Sequence, residues 1–383
     1  MNSMDGQRIN LNRSKSVLIR QLILRYLYRS QQVEVLAEDA HDAQIVQHCL
    51  RALENAQSTP AGCPVRLDVE DCGAAYRFFM AVLAVTEGDW LLTGSPRLLQ
   101  RPIMPLVEAL CSVGADIQRV EDGWRVVGKT LHASHLSIDC TQSSQFASAL
   151  WLISEKIGLC SLEVSPEVPR SAPYIALTRK ILRDVLAGVP FSAESDWSSA
   201  AFWYAYLALN PRICTLSLAN LNLQSLQGDR LVAELFESLG LYSEQVGDDV
   251  VVRKDSHPEV ASLTLDLADT PDIVPVLATL AVLYPFDLQI NGVGNLNLKE
   301  SRRLDVLASE LSAFAPTSIV GEDVLQVMGR QRFVNDSMGR VLSARQDHRM
   351  VMAFTLLKLQ YDVTIDGVEC VRKSYPGFLN YGL

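Results

Sequence analysis

Three stretches of this chain repeat one grammar, and that repeat restricts the possible folds more than any other feature. "RPIMPLVEALCSVGADIQRVEDGWRVVG", "GDRLVAELFESLGLYSEQVGDDVVVRK" and "ESRRLDVLASELSAFAPTSIVGEDVLQVMG" each read as an amphipathic helix, a small or glycine-containing stop, and two alternating strands. An acidic or glycine turn ("EDG", "GDD", "GED") joins the strands. Each stretch is followed by a further strand and then by a second, more apolar helix. Six such apolar helices are read along the chain, over residues 16–28, 73–85, 143–153, 196–209, 271–283 and 347–359. They recur at intervals of roughly 55 to 75 residues, so the chain reads as six copies of one α/β unit. A chain of 383 residues that is 48% apolar and 20% charged has core enough for two or three domains. Three copies per domain would bury each apolar helix inside a shell of sheet and amphipathic helix, which explains its all-round hydrophobicity.

The unusual polar residues gather where these helices begin: "SKSVLIR", "DCGAAYR", "TQSSQF", "ESDWSSA", "TPDIVP" and "QDHRM". Asp347 reads as an N-cap, yet Arg349 places a cation in the first turn, where the helix dipole already concentrates positive charge. Ser, Thr and Asp at these points are explained one at a time by capping. Four cations at three of the six starts (Lys15, Arg20, Arg77, Arg349) are not. Helix N-termini converging in one cleft would make it strongly electropositive and ready for anions. The four cations are expected to cost stability in the empty protein, so that removing Arg349 would stabilise it slightly.

Other function classes are disfavoured. A net charge of −10 argues against a general nucleic-acid binder. Eight cysteines without a C-x-x-C pair fit free thiols in a reducing compartment and signal no zinc site. The two histidines of "HASH", His132 and His135, fall in a strand-like stretch whose alternation puts them on opposite faces. The first apolar stretch is cut by Arg20 and Arg25, and the longest run, near "IVPVLATLAVLYPF", is too short to span a bilayer. A soluble cytoplasmic protein with no membrane association is expected.

The order of these motifs resembles the 5-enolpyruvylshikimate-3-phosphate (EPSP) synthase family over essentially the whole chain. "SKSVLIR" is similar to that family's S-K-S-x-x-x-R, "GAAYR" to G-T-A-x-R, "SPRLLQRPI" to P-R-x-x-x-R-P-I, and "SSQFASAL" to S-S-Q-F. "SAPYI", Pro271-Asp272, "KESRRL", "DHR" and "RKSYPGF" follow in the family's order. The resemblance implies an α/β, two-domain enolpyruvyl transferase fold. Each domain would have three βαβαββ repeats, its buried helices pointing their N-termini at an interdomain cleft that closes on substrate. It implies one discontinuous domain of residues 1–12 with 194–383, and an inserted domain of residues 13–193. The implied reaction moves the enolpyruvyl group of phosphoenolpyruvate to the 5-hydroxyl of shikimate 3-phosphate and releases phosphate, through a tetrahedral adduct. No metal or organic cofactor, no nucleic-acid partner and a monomer are implied.

Residue roles follow from the same resemblance. Ser143, Ser144 and Ser171 would hold the 3-phosphate, and Lys15, Ser16, Arg20, Tyr174, Asn295 and Lys299 would surround the shikimate moiety. Gly73 would let phosphoenolpyruvate approach the backbone, and Arg101, Gln145, Arg303, Arg349 and Lys373 would clamp its anionic ends. Asp272 is the candidate base and Glu300 the candidate acid, with Lys15 and Lys373 sharing proton transfer. Taken alone, Lys299, Glu300 and Arg303 would read as surface ion pairs of an amphipathic helix, Gln145 as a solvated first-turn residue and Arg101 as the mark of a helix start.

The sequence departs from the family pattern at Arg13, Asp71, Ala74 and Ala172. An ionised Asp71, two residues before Gly73, is expected to repel an anionic substrate. Two alternatives stand beside the main reading. A UDP-N-acetylglucosamine enolpyruvyl transferase would carry a reactive cysteine in a mobile loop, whereas Cys111 falls within the amphipathic helix. A catalytically silent homologue would bind an anionic metabolite without turnover, and would have no physical reason to keep buried cations and carboxylates.

Overall fold

In the strand pair that ends each repeated stretch, the last strand ends on Gly128 or Lys254 or is followed at once by Gly329, and the fold explains all three. The structure is a computed structural model that describes residues 4–29, 33–56, 63–255, 259–284, 286–333 and 339–382. A Cβ at Gly128 would lie 1.7 Å from the Thr86 carbonyl oxygen, and one at Gly329 would lie 2.0 Å from that of Ala281. At both places the strand end is packed against the C-terminal carbonyls of a buried helix, leaving no room for a side chain. In the second stretch Lys254 reaches the corresponding carbonyls instead, its Nζ donating to Leu207 at 3.0 Å and Asn210 at 2.5 Å. A cation there satisfies helix-end acceptors and opposes the dipole.

The chain divides into two compact units, Met1–Ser14 with Ala193–Leu383, and Lys15–Ser192. Arg13, Ser14 and Ala193 thus belong to the first unit and not, as the sequence suggested, to the second. Arg13 forms an antiparallel bridge with Ser195, and the Ser14 amide donates to the Glu194 carbonyl at 2.8 Å, so the outgoing and returning strands run paired within that unit.

The first unit holds two complete βαβαββ motifs. Strand Arg8–Ile9 pairs in parallel with Thr215–Leu218, which continues antiparallel into Asp249–Lys254 and Leu241–Val246. The whole second unit is inserted between the first of these strands and the helix Trp197–Leu209. Strands Ser262–Asp266, Asp287–Asn291, Val324–Met328 and Thr317–Val320 repeat the same order around the helix Val274–Leu283. That helix buries every one of its residues, and Trp197–Leu209 all but its last, as their unpatterned hydrophobicity requires. The second unit contains the third complete motif, with strands Val65–Asp68, Gly88–Thr93, Gly123–Gly128 and Asp116–Val120 around the helix Gly73–Val85.

The other three copies are reduced, which corrects the expectation of six full repeats. Residues 135–186 keep a parallel strand pair, His135–Asp139 with Ser161–Ser165, and their helices, but no hairpin follows. Arg340–Leu342 and Val363–Ile365 form a second isolated parallel pair around the helix His348–Thr355. The helices Lys15–Tyr28 and His41–Asn55 have no strand between them among the described residues. The physical reason is in the connections: "AGVPFSAES" after Leu186 is a Gly/Pro/Ser segment without the alternation a hairpin needs. All six apolar helices nevertheless form, since each is needed to fill a core. Among the described residues no helix is long and apolar enough to cross a membrane.

Candidate active site

In the second unit, the expected ligands begin three helices. Gly73 opens Gly73–Val85 behind Cys72, whose Sγ accepts from the Ala75 amide at 3.4 Å. A Cβ on Gly73 would stand 2.4 Å from Nη1 of Arg101, so the absence of a side chain is what lets that guanidinium lie against the helix start. Ser143, Ser144 and Gln145 form the entry to Gln145–Leu152, where the Ser143 hydroxyl accepts from the Gln145 amide at 3.3 Å. Gln145 is held by Arg77, whose Nη1 donates to its Oε1 at 2.8 Å, and is not merely a solvated first-turn residue. Ser171, nearly buried with a φ of 62°, precedes the helix Pro173–Leu186, which carries Tyr174 in its first turn.

The cations at these helix starts are satisfied by the fold itself. Arg20 is buried; its Nε donates to Thr178 Oγ1 at 2.6 Å and its Nη1 to the Ser16 carbonyl at 2.8 Å, and it lies 5.1 Å from the centre of the Phe78 ring. Burial lowers its pKa to about 10, which leaves it charged at neutral pH. Lys15 pairs with the buried Asp42 carboxylate at 3.1 Å. Asp71 is exposed and accepts a hydrogen bond from the Ser95 hydroxyl. Ser95 in turn accepts from the Leu98 amide at 3.2 Å, so Asp71 helps anchor the turn before Arg101.

In the first unit a denser ionic cluster forms. Arg303 is 1% exposed and donates to Asp272 at 2.8 Å, to Glu300 at 2.9 Å and to Asp347 at 2.8 Å. The i, i+3 pair with Glu300 therefore exists but is partly buried, and Arg303 holds three carboxylates at once. Asp347 also caps its own helix, accepting from the Arg349 amide at 3.0 Å. Lys299 Nζ stands 3.6 Å from Asp272. Burial raises the Asp272 pKa, but Lys299, Arg303 and Arg349 outweigh it and hold this carboxyl far below the usual carboxylate range. Asn295 lies in the turn Gly294–Leu298, and its Oδ1 is buried without a partner among the described residues. Lys373 ends the turn Val368–Lys373, half-buried.

Arg349 is the cation that posed the sequence puzzle. It is 4% exposed, and its Nη2 lies 3.9 Å from Asp196 and 3.8 Å from Asp272. Burial disfavours its charge, but Asp196, Asp272 and Asp229 more than compensate, so its pKa is raised. Removing it would leave those carboxylates facing one another, and the expectation that its loss stabilises the empty protein is overturned. Nε and Nη1 of Arg349 are buried without hydrogen-bond partners among the described residues.

Asp229 and Asp196 were missed as participants. Asp196 caps Trp197–Leu209, accepting from the Ser199 amide at 2.9 Å. Asp229 is 1% exposed and accepts from the Ser198 hydroxyl, while its Oδ1 has no partner among the described residues. Burial first, then repulsion from Asp272 and Asp196, push its carboxyl up to about 7. The only sequence signal was "ESDWSSA" among the helix starts; "GDRL" read as an ordinary helix beginning.

Two architectural likenesses define the class. The fold is that of the enolpyruvyl transferases: it superposes on an EPSP synthase structure from Acinetobacter baumannii with a TM-score of 0.71 at 20% identity, covering 98% of this chain and 95% of that one. It also superposes on the enolpyruvyl transferase NikO from Streptomyces tendae, with a TM-score of 0.67 at 15% identity over 97% and 93%. The sequence narrows this further. A 3-phosphoshikimate 1-carboxyvinyltransferase of Bacteroides fragilis is 32% identical over 397 aligned positions, 97% of this chain and 93% of that protein. The EPSP synthase (3-phosphoshikimate 1-carboxyvinyltransferase) family profile matches residues 36–190 and 183–381, and the chain belongs to that family. It is a transferase. The UDP-N-acetylglucosamine alternative is not favoured, and Cys111 lies within the helix Met104–Ser112.

Proposed function

We propose that the chain transfers the enolpyruvyl group of phosphoenolpyruvate to the 5-hydroxyl of shikimate 3-phosphate by addition and elimination, with roles assigned unit by unit. In the second unit, Ser143, Ser144 and Ser171 receive the 3-phosphate, with Lys15, Ser16, Arg20 and Tyr174 around the ring. Gly73, Arg101 and Gln145 meet phosphoenolpyruvate. In the first unit, Asn295 and Lys299 serve shikimate, and Arg349 and Lys373 serve phosphoenolpyruvate. Asp272 takes the hydroxyl proton and Glu300 supplies one to the methylene carbon, with Lys15 and Lys373 relaying protons. Arg303 orients Asp272 and Glu300 and, with Arg349 and Lys373, serves phosphoenolpyruvate.

The observation that carries this reading is Arg349: a buried guanidinium whose Nε and Nη1 have no hydrogen-bond partner among the described residues is costly unless an anion completes its shell. The same cluster supports the choice of Asp272. Its neighbouring cations hold it ionised in the empty protein, and a substrate phosphate competing for Lys299 and Arg349 would loosen that hold and make it a better base. Phosphate release on mixing both substrates tests the reaction. Arg349→Ala is expected to raise the Michaelis constant for phosphoenolpyruvate by roughly ten- to a hundredfold, the scale of a charged hydrogen bond, and to lower the melting temperature. Binding of both substrates without phosphate release would establish the silent-homologue alternative.

Gly73→Ala gives a separate check. Its methyl would occupy the Arg101 guanidinium's place, so Arg101 must shift. The Michaelis constant for phosphoenolpyruvate should rise about tenfold or more while that for shikimate 3-phosphate changes little. Equal increases in both constants would remove Arg101 from the phosphoenolpyruvate side.

A further inference from the structure

Arg77 is buried in the second unit, only 3% exposed, and has no role in the scheme above. Its guanidinium binds three separate segments at once. Nη1 donates to Gln145 Oε1 at 2.8 Å and to the Gly73 carbonyl at 3.3 Å. Nε and Nη2 both donate to the Pro102 carbonyl, at 3.2 and 3.1 Å. The cation also lies 5.6 Å from the centre of the Phe146 ring, next in sequence to Gln145. The segments it joins are the helix start at Gly73, the turn that carries Arg101, and the helix start at Gln145.

We propose that Arg77 is a positioning residue that sets the anion selectivity of this half-site by fixing which face of the Gln145 amide and which placement of Arg101 the ligand meets. Guanidinium has donors and no acceptor, so only the oxygen of the Gln145 amide can face it. The Nε2 hydrogens are thereby turned away from Arg77, and the group left to meet a ligand is a donor pair suited to carboxylate or phosphate. With the amide reversed, a carbonyl oxygen would face that anion and repel it. The forked contact with Pro102 acts in the same sense, because it immobilises the residue that follows Arg101 at its carbonyl and keeps that guanidinium over Gly73. Lysine cannot reproduce this, since one ammonium cannot span a side-chain amide and a forked carbonyl contact in fixed directions.

This inference rests on Gly73, Arg101 and Gln145 being the phosphoenolpyruvate side of the site, and the test separates the two claims. Steady-state constants for both substrates are measured for Arg77→Lys, Arg77→Gln, Gln145→Ala, Arg101→Ala and the double variant Arg77→Lys/Gln145→Ala, with melting temperatures to identify any variant that fails to fold. Arg77→Lys is expected to raise the Michaelis constant for phosphoenolpyruvate about tenfold, with kcat and the shikimate 3-phosphate constant within roughly threefold of the parent. In the Gln145→Ala background the same change should cost at most about threefold, because part of its pathway is gone. Arg77→Gln, whose two amide hydrogens share one nitrogen and cannot reach both Gln145 and the Pro102 carbonyl as the guanidinium does, should fall between parent and Arg77→Lys or match the latter. Full additivity, or equal losses for both substrates in whichever Arg77 variant folds, overturns the positioning role. If Gln145→Ala and Arg101→Ala themselves leave the phosphoenolpyruvate constant unchanged, the underlying site assignment fails instead.

Discussion

Asp272→Asn is expected to leave both substrates bound and to lower turnover by at least about a hundredfold, the scale of a lost general base. Asparagine keeps the size of the side chain and an oxygen that can accept from Arg303, so the frame around Glu300 and Asp347 should persist. What disappears is the charge and the proton-accepting oxygen. Lys299, Arg303 and Arg349, which now spend part of their field on this carboxylate, would become more available to an anion, so affinity should hold or tighten. Equilibrium binding measured beside steady-state rates separates the outcomes. A variant that turns over normally but binds phosphoenolpyruvate weakly would show that Asp272 is an architectural partner of the cations and that another group accepts the proton.

Asp229→Asn should raise the melting temperature by several degrees at pH 8 and leave it unchanged near pH 4. The Asp229 carboxyl is raised from 3.8 to about 7, chiefly by burial and then by Asp272 and Asp196. A carboxyl that holds its proton more tightly when folded contributes fully below its unfolded value, and that contribution is lost as pH rises from about 4 to 7. Roughly three units correspond to a ceiling of about 4 kcal/mol. At roughly 2–4 °C per kcal/mol for a unit of this size, the shift should be readily measured. Asparagine cannot ionise yet still accepts from Ser198, so it mimics the protonated state at every pH. Asp272 titrates in the opposite sense: its lowered pKa contributes stability above the ordinary carboxylate range and loses it as pH falls. Parallel melting curves for Asp229→Asn and the parent from pH 4 to 8 would mean that Asp229 is ionised throughout, balanced by Arg349.

Local chemistry made much of the molecule legible in advance. "IVPVLATLAVL" is apolar on every side and must be enclosed whatever packs around it, and the structure buries all of Val274–Leu283. Asp347 caps the helix it precedes because its side chain reaches the Arg349 amide two residues on, a contact set by neighbouring backbone alone. The three helix, turn and hairpin stretches were visible for the same reason, since turn chemistry and periodicity act over a few residues. Family membership also came from order along the chain: nine short motifs in sequence are a linear signal.

Which charges meet was settled only in three dimensions. Arg303 and Asp347 are 44 residues apart and Arg77 and Gln145 are 68 apart, and nothing in their local sequence says which will touch. A cation at a helix start looked like a cost awaiting a ligand, because the dipole was the only field a linear reading could assign to it. Packing supplied Asp42 for Lys15, Thr178 for Arg20, Pro102 and Gln145 for Arg77, and a ring of carboxylates for Arg349 and Arg303. Desolvation and Coulomb energy depend on depth and separation, which vary over a few ångströms with the register in which helices dock. The amino-acid order therefore determined the buried helices, their caps and the inventory of ionisable groups. Tertiary packing alone decided that Arg303 would be enclosed by acids, that Nε and Nη1 of Arg349 would be buried without partners among the described residues, and that the Asp229 carboxyl would be pushed up.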